Sequence, residues 1–419
     1  MPDSEHRACA ACTIVSKNYF AYAKTLADSF LERNPAHDFY ILVVDRTERT
    51  GRYSHPGVKV VFLEDLELPD WLGVAFRFDV VELNTNVKAT MLRYLLRRGY
   101  QVAFYFDPDM YCYQSVAVLR GAIAGGNVLL TPHAVSPYPE EDGRRPMDRD
   151  LLRNGAYNLG FIGVSNSPEG ERFLAWWEAR CLGQGFNEPS YGLFVDQKWI
   201  DLVPSYFDGV VIFKHAGCNM AYWNIHERSV IPGEDGGLKV RGPGGDVDLV
   251  FFHFSGIDPL NFEAISTHQN RFNLQMRPDL RDLLVRYSSK LLGNGYESYK
   301  AESYGFATFS NGDRISPLMR RYRGNLGSLA AEMDPFSAES RTYRFAVRHR
   351  LISRRKGKGG IVGLNSLKVD DSRSRSLRVL GVFLRAVQYV AGADGFEIIN
   401  KIMKHYGVPN NQVRIMFRE

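Results

Sequence analysis

Apolar residues follow two periods along the first two-thirds of the chain. Ala8–Val15 is a continuous apolar run of strand length; after it Phe20, Ala23, Leu26, Ala27, Phe30 and Leu31 recur at three-and-four spacing up to Asn34-Pro35, which predicts a helix. Phe39–Val44 reads as a second strand. The alternation continues with strand Lys59–Phe62, a helix over Val87–Arg98 ended by Gly99, and strands Gln101–Phe106 and Val128–Thr131. Next come the apolar run Leu159–Val164, a helix capped by Ser167 with Pro168 in its first turn, and strands Val210–Phe213 and Leu249–Phe252. Such a series predicts an α/β fold, a mixed, mostly parallel sheet flanked by helices. Past Phe254 the pattern changes to aromatic and polar segments, a basic stretch and a terminal helical region. The expected division is therefore 1–268 for the α/β domain, 269–350 for an appended, mainly helical region, and 351–419 for a basic linker and C-terminal helices.

Composition narrows the class without naming a function. The 419 residues are 45% hydrophobic and 24% charged, which excludes a disordered or low-complexity chain. The net charge of +5 hides an imbalance: residues 341–378 hold twelve Lys/Arg against Asp370 and Asp371, so that stretch is +10 and the remainder −5. A nucleic-acid-binding surface over the whole protein is not supported. The five cysteines include Cys9-x-x-Cys12, but residues three apart on a strand point to opposite faces and cannot share a metal. The polar N-terminus lacks the order of a signal peptide, and the apolar run Val379–Val390 is interrupted by Arg385, so the expectation is a cytoplasmic protein.

The sharpest chemical signal is Asp107-Pro108-Asp109, where the strand Val102–Phe106 ends directly in two carboxylates one residue apart. Both fall on the same side of the carboxyl end of the strand, where open α/β sheets bind ligands. Two close carboxylates repel unless a cation lies between them, and a hard divalent ion also accepts diphosphate oxygens. Asp148-Arg-Asp150 and Asp246-Val-Asp248 share the spacing. The first sits in a polar loop and the second precedes its strand, so both read as solvated. His253 closes the apolar run Leu249–Phe252 ahead of Phe254-Ser255-Gly256. A lone histidine is commonly structural, but strand end and turn together favour a third ligand, and two carboxylates with an imidazole suit Mn2+ (or Mg2+).

The order of Thr13-Ile-Val-Ser16-Lys-Asn18-Tyr19, Asp107-Pro-Asp109, Tyr157-Asn158-Leu-Gly160, Asp196-Gln197 and His253-Phe-Ser-Gly256 resembles the GT-A fold nucleotide-sugar glycosyltransferases. It is most similar to their retaining family-eight group, which includes glycogenin and bacterial lipopolysaccharide galactosyltransferases. The resemblance covers residues 8–256 and implies a GT-A, Rossmann-like catalytic domain that moves a hexose from a nucleotide sugar, UDP-linked, to a saccharide or lipid-linked acceptor with retention. It implies that Thr13, Ser16, Asn18 and Tyr19 hold the nucleoside, that Asp107 and Asp109 meet metal and ribose, and that His253 is the third metal ligand. Asn158 would touch the sugar, and Asp196-Gln197 would lie beside the anomeric carbon. For the family's basic residue ahead of the D-x-D, Lys88 is the nearest counterpart and Arg93 competes. The family's lysine-rich sequence after the histidine is absent, and Lys214 and His215 are the candidates for the diphosphate's basic partner.

General chemistry assigns the same roles. A departing diphosphate needs electrostatic stabilisation, and an oxocarbenium-like centre needs a weakly basic neighbour such as the Gln197 carbonyl, which Asp196 can orient. Helix capping before Trp199 is the alternative for Asp196-Gln197, and core packing for Trp176-Trp177. Cys218–His226, rich in aromatic and amide groups, reads equally as acceptor pocket and as loop packing. Glu140–Asp150 reads as a mobile loop. Two rival functions remain: a D-x-D phosphohydrolase with an aspartyl nucleophile, against which Tyr111 occupies the discriminating position, and a non-catalytic sugar-binding protein of the same fold. The basic segment followed by Leu380, Phe383, Leu384, Val387 and Val390 at helical spacing suits peripheral contact with an anionic inner-membrane surface through residues 341–390; a solvated linker with a packed helix is the alternative.

Overall fold

The computed structural model describes residues 8–353 apart from 50, 140, 141, 235 and 262, together with scattered positions between 382 and 416. The central sheet has seven strands, β1 (Cys9–Val15), β2 (Asp38–Val43), β3 (Val58–Phe62), β4 (Val102–Phe106), β6 (Val128–Pro132), β7 (Tyr157–Ser165) and β10 (Val210–Ile212), in the order β10-β6-β7-β4-β1-β2-β3. Every neighbouring pair is parallel except β4–β7 and β6–β7, so the sheet is mixed and mostly parallel, as the apolar runs predict. The chain leaves β1 toward β2 and β3 on one side and reaches β4 on the other. The carboxyl ends of β1 and β4 therefore flank the switch point of the sheet, the crevice where such folds bind ligands.

Helices cover the sheet. Helix α1 (Phe20–Arg33) buries Phe20, Ala23, Leu26, Ala27 and Phe30, the positions its apolar spacing selects. Helices α2 (Trp71–Arg77) and α3 (Val80–Asn86) precede α4 (Lys88–Leu96), and α5 (Ala117–Ile123) leads into β6. Helix α6 (Asp148–Asn154) starts inside the stretch expected to be a loop: Asp150 accepts from the Met147 amide at 3.1 Å, so this D-x-D caps a helix. The longest helix, α7 (Pro168–Gln184), begins as predicted, with Ser167 Oγ accepting from Gly170 N at 2.9 Å. Trp177 on α7 is fully buried, which settles it as core.

Short strands complete the first compact unit. Strand β5 (Met110–Cys112) follows the Asp107–Asp109 turn, and β8 (Asn187–Glu188) pairs with β9 (Leu193–Phe194); α8 (Val203–Tyr206) then leads toward β10. The meander β11 (Ser229–Pro232), β12 (Leu238–Gly242) and β13 (Gly245–Asp248) is antiparallel, and its turn pairs Arg241 with exposed Asp246 at 3.1 Å, the solvated role expected of that D-x-D. The last strand, β14 (Phe251–His253), starts two residues later than the apolar run suggested and ends on the histidine.

The boundary expected near residue 268 falls instead at Gly305. The first unit comprises the described residues up to Trp71 with Val80–Gly305, and the second Leu72–Asp79 with the described residues from Phe306 onward. Residues 269–305 stay with the sheet because α9 (Arg281–Gly293) and α10 (Tyr296–Lys300) pack on α1, and Tyr287 stacks on Phe254 with ring centroids 3.9 Å apart. The second unit is mainly helical: α11 (Pro317–Arg323), α12 (Gly327–Ala330) and α13 (Arg341–Arg348), with the two-residue pair β15 (Arg314–Ile315) and β16 (Ile352–Ser353). Buried Arg320 donates to the carbonyls of Phe76 and Phe78 at 2.9 and 2.8 Å, joining the unit's two chain segments. Residues 354–381, most of the basic stretch, lie outside the described residues. Among the described residues no helix is long and apolar enough to cross a membrane.

All five cysteines are free and buried. Burial pushes the thiols of Cys9 and Cys112 up to about 12 and those of Cys12, Cys181 and Cys218 higher still.

Because Ser167 Oγ also donates to Asn127 Oδ1 at 2.7 Å, Ser167→Ala removes a cap and a side-chain partner together. Urea unfolding is expected to show a loss of about 1–2 kcal/mol; an unchanged midpoint would mean that the cap is dispensable.

Candidate active site

The Asp107–Asp109 turn is fixed from three sides. The Asp107 amide donates to Gly160 O on β7 at 2.7 Å, the Met110 amide closes the turn on Asp107 O at 3.1 Å, and the Phe254 amide donates to Asp109 O at 2.8 Å. Strand β5 then pairs antiparallel with β14, putting His253 opposite Met110. Behind the turn Phe106 packs on Phe161 and Phe251, with centroids 5.1 and 5.4 Å away. A buried aromatic floor and a short sheet thus bring two carboxylates and an imidazole to one point.

His253 Nε2 lies 3.0 Å from Asp109 Oδ1 and 3.8 Å from Asp107 Oδ2. One ligand atom from each of the three residues lies within 4.8 Å of the others, a spacing and donor set that fit a hard or borderline divalent cation. Burial pushes His253 toward neutrality, but the Asp109 carboxylate outweighs it and holds the imidazole above its usual range. The converse holds for Asp109, where His253 overcomes burial and keeps the carboxyl low. His253 Nδ1 is buried without a hydrogen-bond partner.

Lys88, the first residue of α4, is the basic group beside this centre. Its Nζ is 3.5 Å from Asp107 Oδ1 and 3.1 Å from Asp196 Oδ2, and donates to Leu159 O at 2.8 Å. Burial opposes its charge, yet the two carboxylates outweigh burial and hold the ammonium above the ordinary lysine range. Asp196, 1% exposed, carries the cost: burial lifts its carboxyl to about 6 despite Lys88. Arg93, the competing candidate, is corrected by the structure. It pairs with Glu171 and Glu178 on α7, because it projects from the opposite side of α4.

Asn158 and Gln197 are likewise tied down. Asn158 Oδ1 accepts from Gly160 N at 3.1 Å and from Asn219 Nδ2 at 2.9 Å, and Asn158 Nδ2 faces His133 Nε2 at 3.2 Å. Gln197 Oε1 accepts from Leu159 N, and its Nε2 donates to Asn154 O, both at 3.0 Å. Gln197 precedes a short 3-10 helix, Lys198–Leu202, without capping it by its side chain, so the capping alternative is set aside. Gly160 permits this crowding: a Cβ there would stand 2.5 Å from His253 Cε1 and 2.7 Å from Asn158 Oδ1.

The first-strand loop borders the turn because Cys12 on β1 pairs with Tyr105 on β4. Ser16 Oγ donates to Asn18 Oδ1 at 2.7 Å, the Thr13 hydroxyl is buried without a partner, and Tyr19 is exposed and stacks on Tyr22 with centroids 4.7 Å apart. Lys214 stands apart, exposed at the end of β10 with β6 and β7 between it and β4. His215 is engaged locally, accepting from Gly217 N at 3.2 Å.

Sequence reasoning missed Tyr105 and His133. Tyr105 donates to Asp107 Oδ1 at 2.6 Å and lies under Lys88 Nζ, 4.5 Å from its ring centroid; its position two residues before Asp107, on the same strand face, was the available signal. His133 follows β6, another strand end, and burial pushes it down to about 4. The Cys218–His226 segment is packing in large part: Asn219 and Asn224 are fully buried, and Trp223 sets its ring edge-on to His253 at 5.0 Å.

No protein-family model matches the chain. It is 26% identical over 253 residues to an uncharacterised protein of Bacillus subtilis (strain 168), YfnD, across 58% of this chain and 76% of that relative. Solved structures that match include the galactosyltransferase LgtC in complex with donor and acceptor sugar analogues, at 11% identity and a TM-score of 0.41, covering 68% of this chain and 95% of LgtC. The bifunctional glycosyltransferase WbbM matches at 14% and 0.41, covering 70% of this chain and 53% of WbbM. The glycosyltransferase GlyE of Streptococcus pneumoniae TIGR4 matches at 13% and 0.40, covering 75% and 72%.

Removing Lys88 alone leaves buried Asp196 and half-buried Asp107 without the cation between them. Lys88→Met is expected to cost about 3–5 kcal/mol of stability in urea titration, and adding Asp196→Asn to recover a large part of it. A double variant no more stable than the single would show that the charges of the pair are not the cause.

Proposed function

We propose that the chain is a metal-dependent glycosyltransferase of GT-A type that moves a hexose from a nucleotide-sugar donor, UDP-linked by the resemblance of its motifs, to a saccharide or lipid-linked acceptor. The observation that carries this reading is the convergence of Asp107, Asp109 and His253 at the switch point of the sheet, beside a loop that can hold a nucleoside. A divalent ion, Mn2+ or Mg2+, bound by these three would draw charge from the departing diphosphate. Thr13, Ser16, Asn18 and Tyr19 border the nucleoside in this reading, and Asn158 meets the sugar.

The remaining residues supply fixed dipoles. The Gln197 amide is held by Leu159 N and Asn154 O, so the free lone pair of its carbonyl has a set direction and costs no reorganisation when positive charge develops at the anomeric carbon. Such a weak base on the donor's own side suits retention. Lys88 lies between Asp107 and Asp196 and donates to Leu159 O, so it positions these groups rather than reaching for phosphate.

Asp107→Asn and Asp109→Asn are each expected to abolish Mn2+-dependent nucleotide binding and sugar transfer while leaving a protein that still unfolds cooperatively. His253→Ala should raise the Mn2+ concentration for half-saturation, and Asp246→Ala should do nothing. Normal Mn2+-dependent UDP binding by both D-x-D variants would overturn the reading. Hydrolysis of p-nitrophenyl phosphate without a sugar nucleotide would favour the phosphohydrolase, and nucleotide binding without turnover the non-catalytic protein.

The basic segment 341–378 and the apolar positions after it support peripheral contact with an anionic membrane. Val382, Phe383, Tyr389 and Val390 are exposed among the described residues. Co-sedimentation with phosphatidylglycerol vesicles is expected, and loss of it in high salt and in Arg354/Arg355/Lys356→Ala. Equal recovery with neutral vesicles would leave the segment structural.

A further inference from the structure

The proposed donor carries a diphosphate, whose oxygens call for N–H donors, and the carboxylates of Asp107, Asp109 and Asp196 supply none. Lys88 Nζ is already spent on Asp107, Asp196 and Leu159 O, and Lys214 is separated from the turn by two strands.

The fold brings one further group to this place. After Gly256, three residues beyond His253, the chain loops out and returns: the Thr267 amide donates to Gly256 O at 2.9 Å, and the His268 amide to Ser266 Oγ at 3.1 Å. The His268 ring comes to lie directly against Gly256. A Cβ on Gly256, whose φ is +72°, would stand 2.5 Å from His268 Cδ2 and 2.9 Å from its Nε2. The ring is also 6.0 Å from Tyr222, which meets Trp223 at 4.9 Å, and Trp223 borders His253 at 5.0 Å. His268 is exposed, partial burial of the ring together with the neighbouring His253 holds its imidazole below the usual range despite Asp109, and among the described residues no hydrogen bond engages its ring nitrogens.

We propose that His268 is the side chain that receives the donor's diphosphate, through a ring N–H donated to a phosphate oxygen. This rests on the function proposed above and adds a residue to it. A neutral imidazole suffices, since it always carries one N–H, and exposure leaves that donor open to a ligand from solvent. The glycine at 256 leaves room for the ring beside the backbone three residues after His253, so the donor is held there without a long flexible side chain to order.

The test is calorimetric binding with Mn2+ present. A panel of UDP, GDP, ADP, CDP and dTDP identifies the preferred diphosphate on the wild type, and its nucleoside is followed by ligand-observed NMR. His268→Ala is expected to weaken the diphosphate by about tenfold and leave the nucleoside unchanged, because a hydrogen bond to a charged group is lost. His268→Lys should restore the affinity. His268→Glu, tolerated at an exposed position, should weaken the diphosphate further and serves if the alanine variant folds poorly. A wild type that binds no diphosphate would overturn the function and this assignment with it. Binding by the wild type with no change in His268→Ala and His268→Glu would overturn His268 alone, and equal loss of diphosphate and nucleoside would reduce it to a structural role.

Discussion

Lys88 stands where a lysine is least at home, in the first turn of a helix whose dipole repels it and among side chains that exclude water. The carboxylates of Asp107 and Asp196 make that charge tolerable, and Lys88 in turn makes buried Asp196 beside half-buried Asp107 tolerable. Its ammonium also donates to Leu159 O, beside the register irregularity between Leu130 and Pro132 where the β6–β7 ladder breaks. One ammonium thus ties together the start of α4, the end of β4, the start of β7 and the segment before Lys198. None of these is close to the others in sequence, and the positions of Asn158 and Gln197 follow from that tie.

A second layer of constraint comes from direction. Strand β7 runs against its neighbours, so it presents its first residues, and not its last, at the edge where β1, β4 and β6 end. Asn158 and Gly160 reach the crevice for that reason. The short β5–β14 pair closes the other flank, and the stack of Tyr287 on Phe254 backs it from α9. The chain beyond residue 268 therefore belongs to the architecture of the centre as well as to its periphery.

The strands of the sheet were legible because each is a largely apolar run, buried in all but the edge strands β3 and β10, and the grouping of Asp107, Asp109 and His253 was legible because they sit where such runs stop. The direction of β7 was not, since a period of two reports faces and is silent about polarity. Choosing Lys88 over Arg93 needed the packing of α4 on α7, which gives Arg93 its glutamates. The extension to Gly305 was missed because α9 and α10 are ordinary amphipathic helices whose partner, α1, lies some 250 residues earlier. Asp148 and Asp150 looked like loop residues because a carboxylate that caps a helix and one that faces water leave the same local pattern.

The five thiols are all sealed in the core, and burial keeps each protonated. Reagents that attack thiolate will therefore pass the native cysteines by. A cysteine introduced at an outward position, for instance in place of Leu152 on α6, which is 75% exposed, would be the lone reactive sulfur without any prior replacement. A fluorophore or nitroxide attached there would report from a single known place, and a paramagnetic ion settling among Asp107, Asp109 and His253 would broaden its signal with a steep dependence on distance. The chemistry that makes these cysteines uninformative as a site makes the protein a clean host for spectroscopic labels.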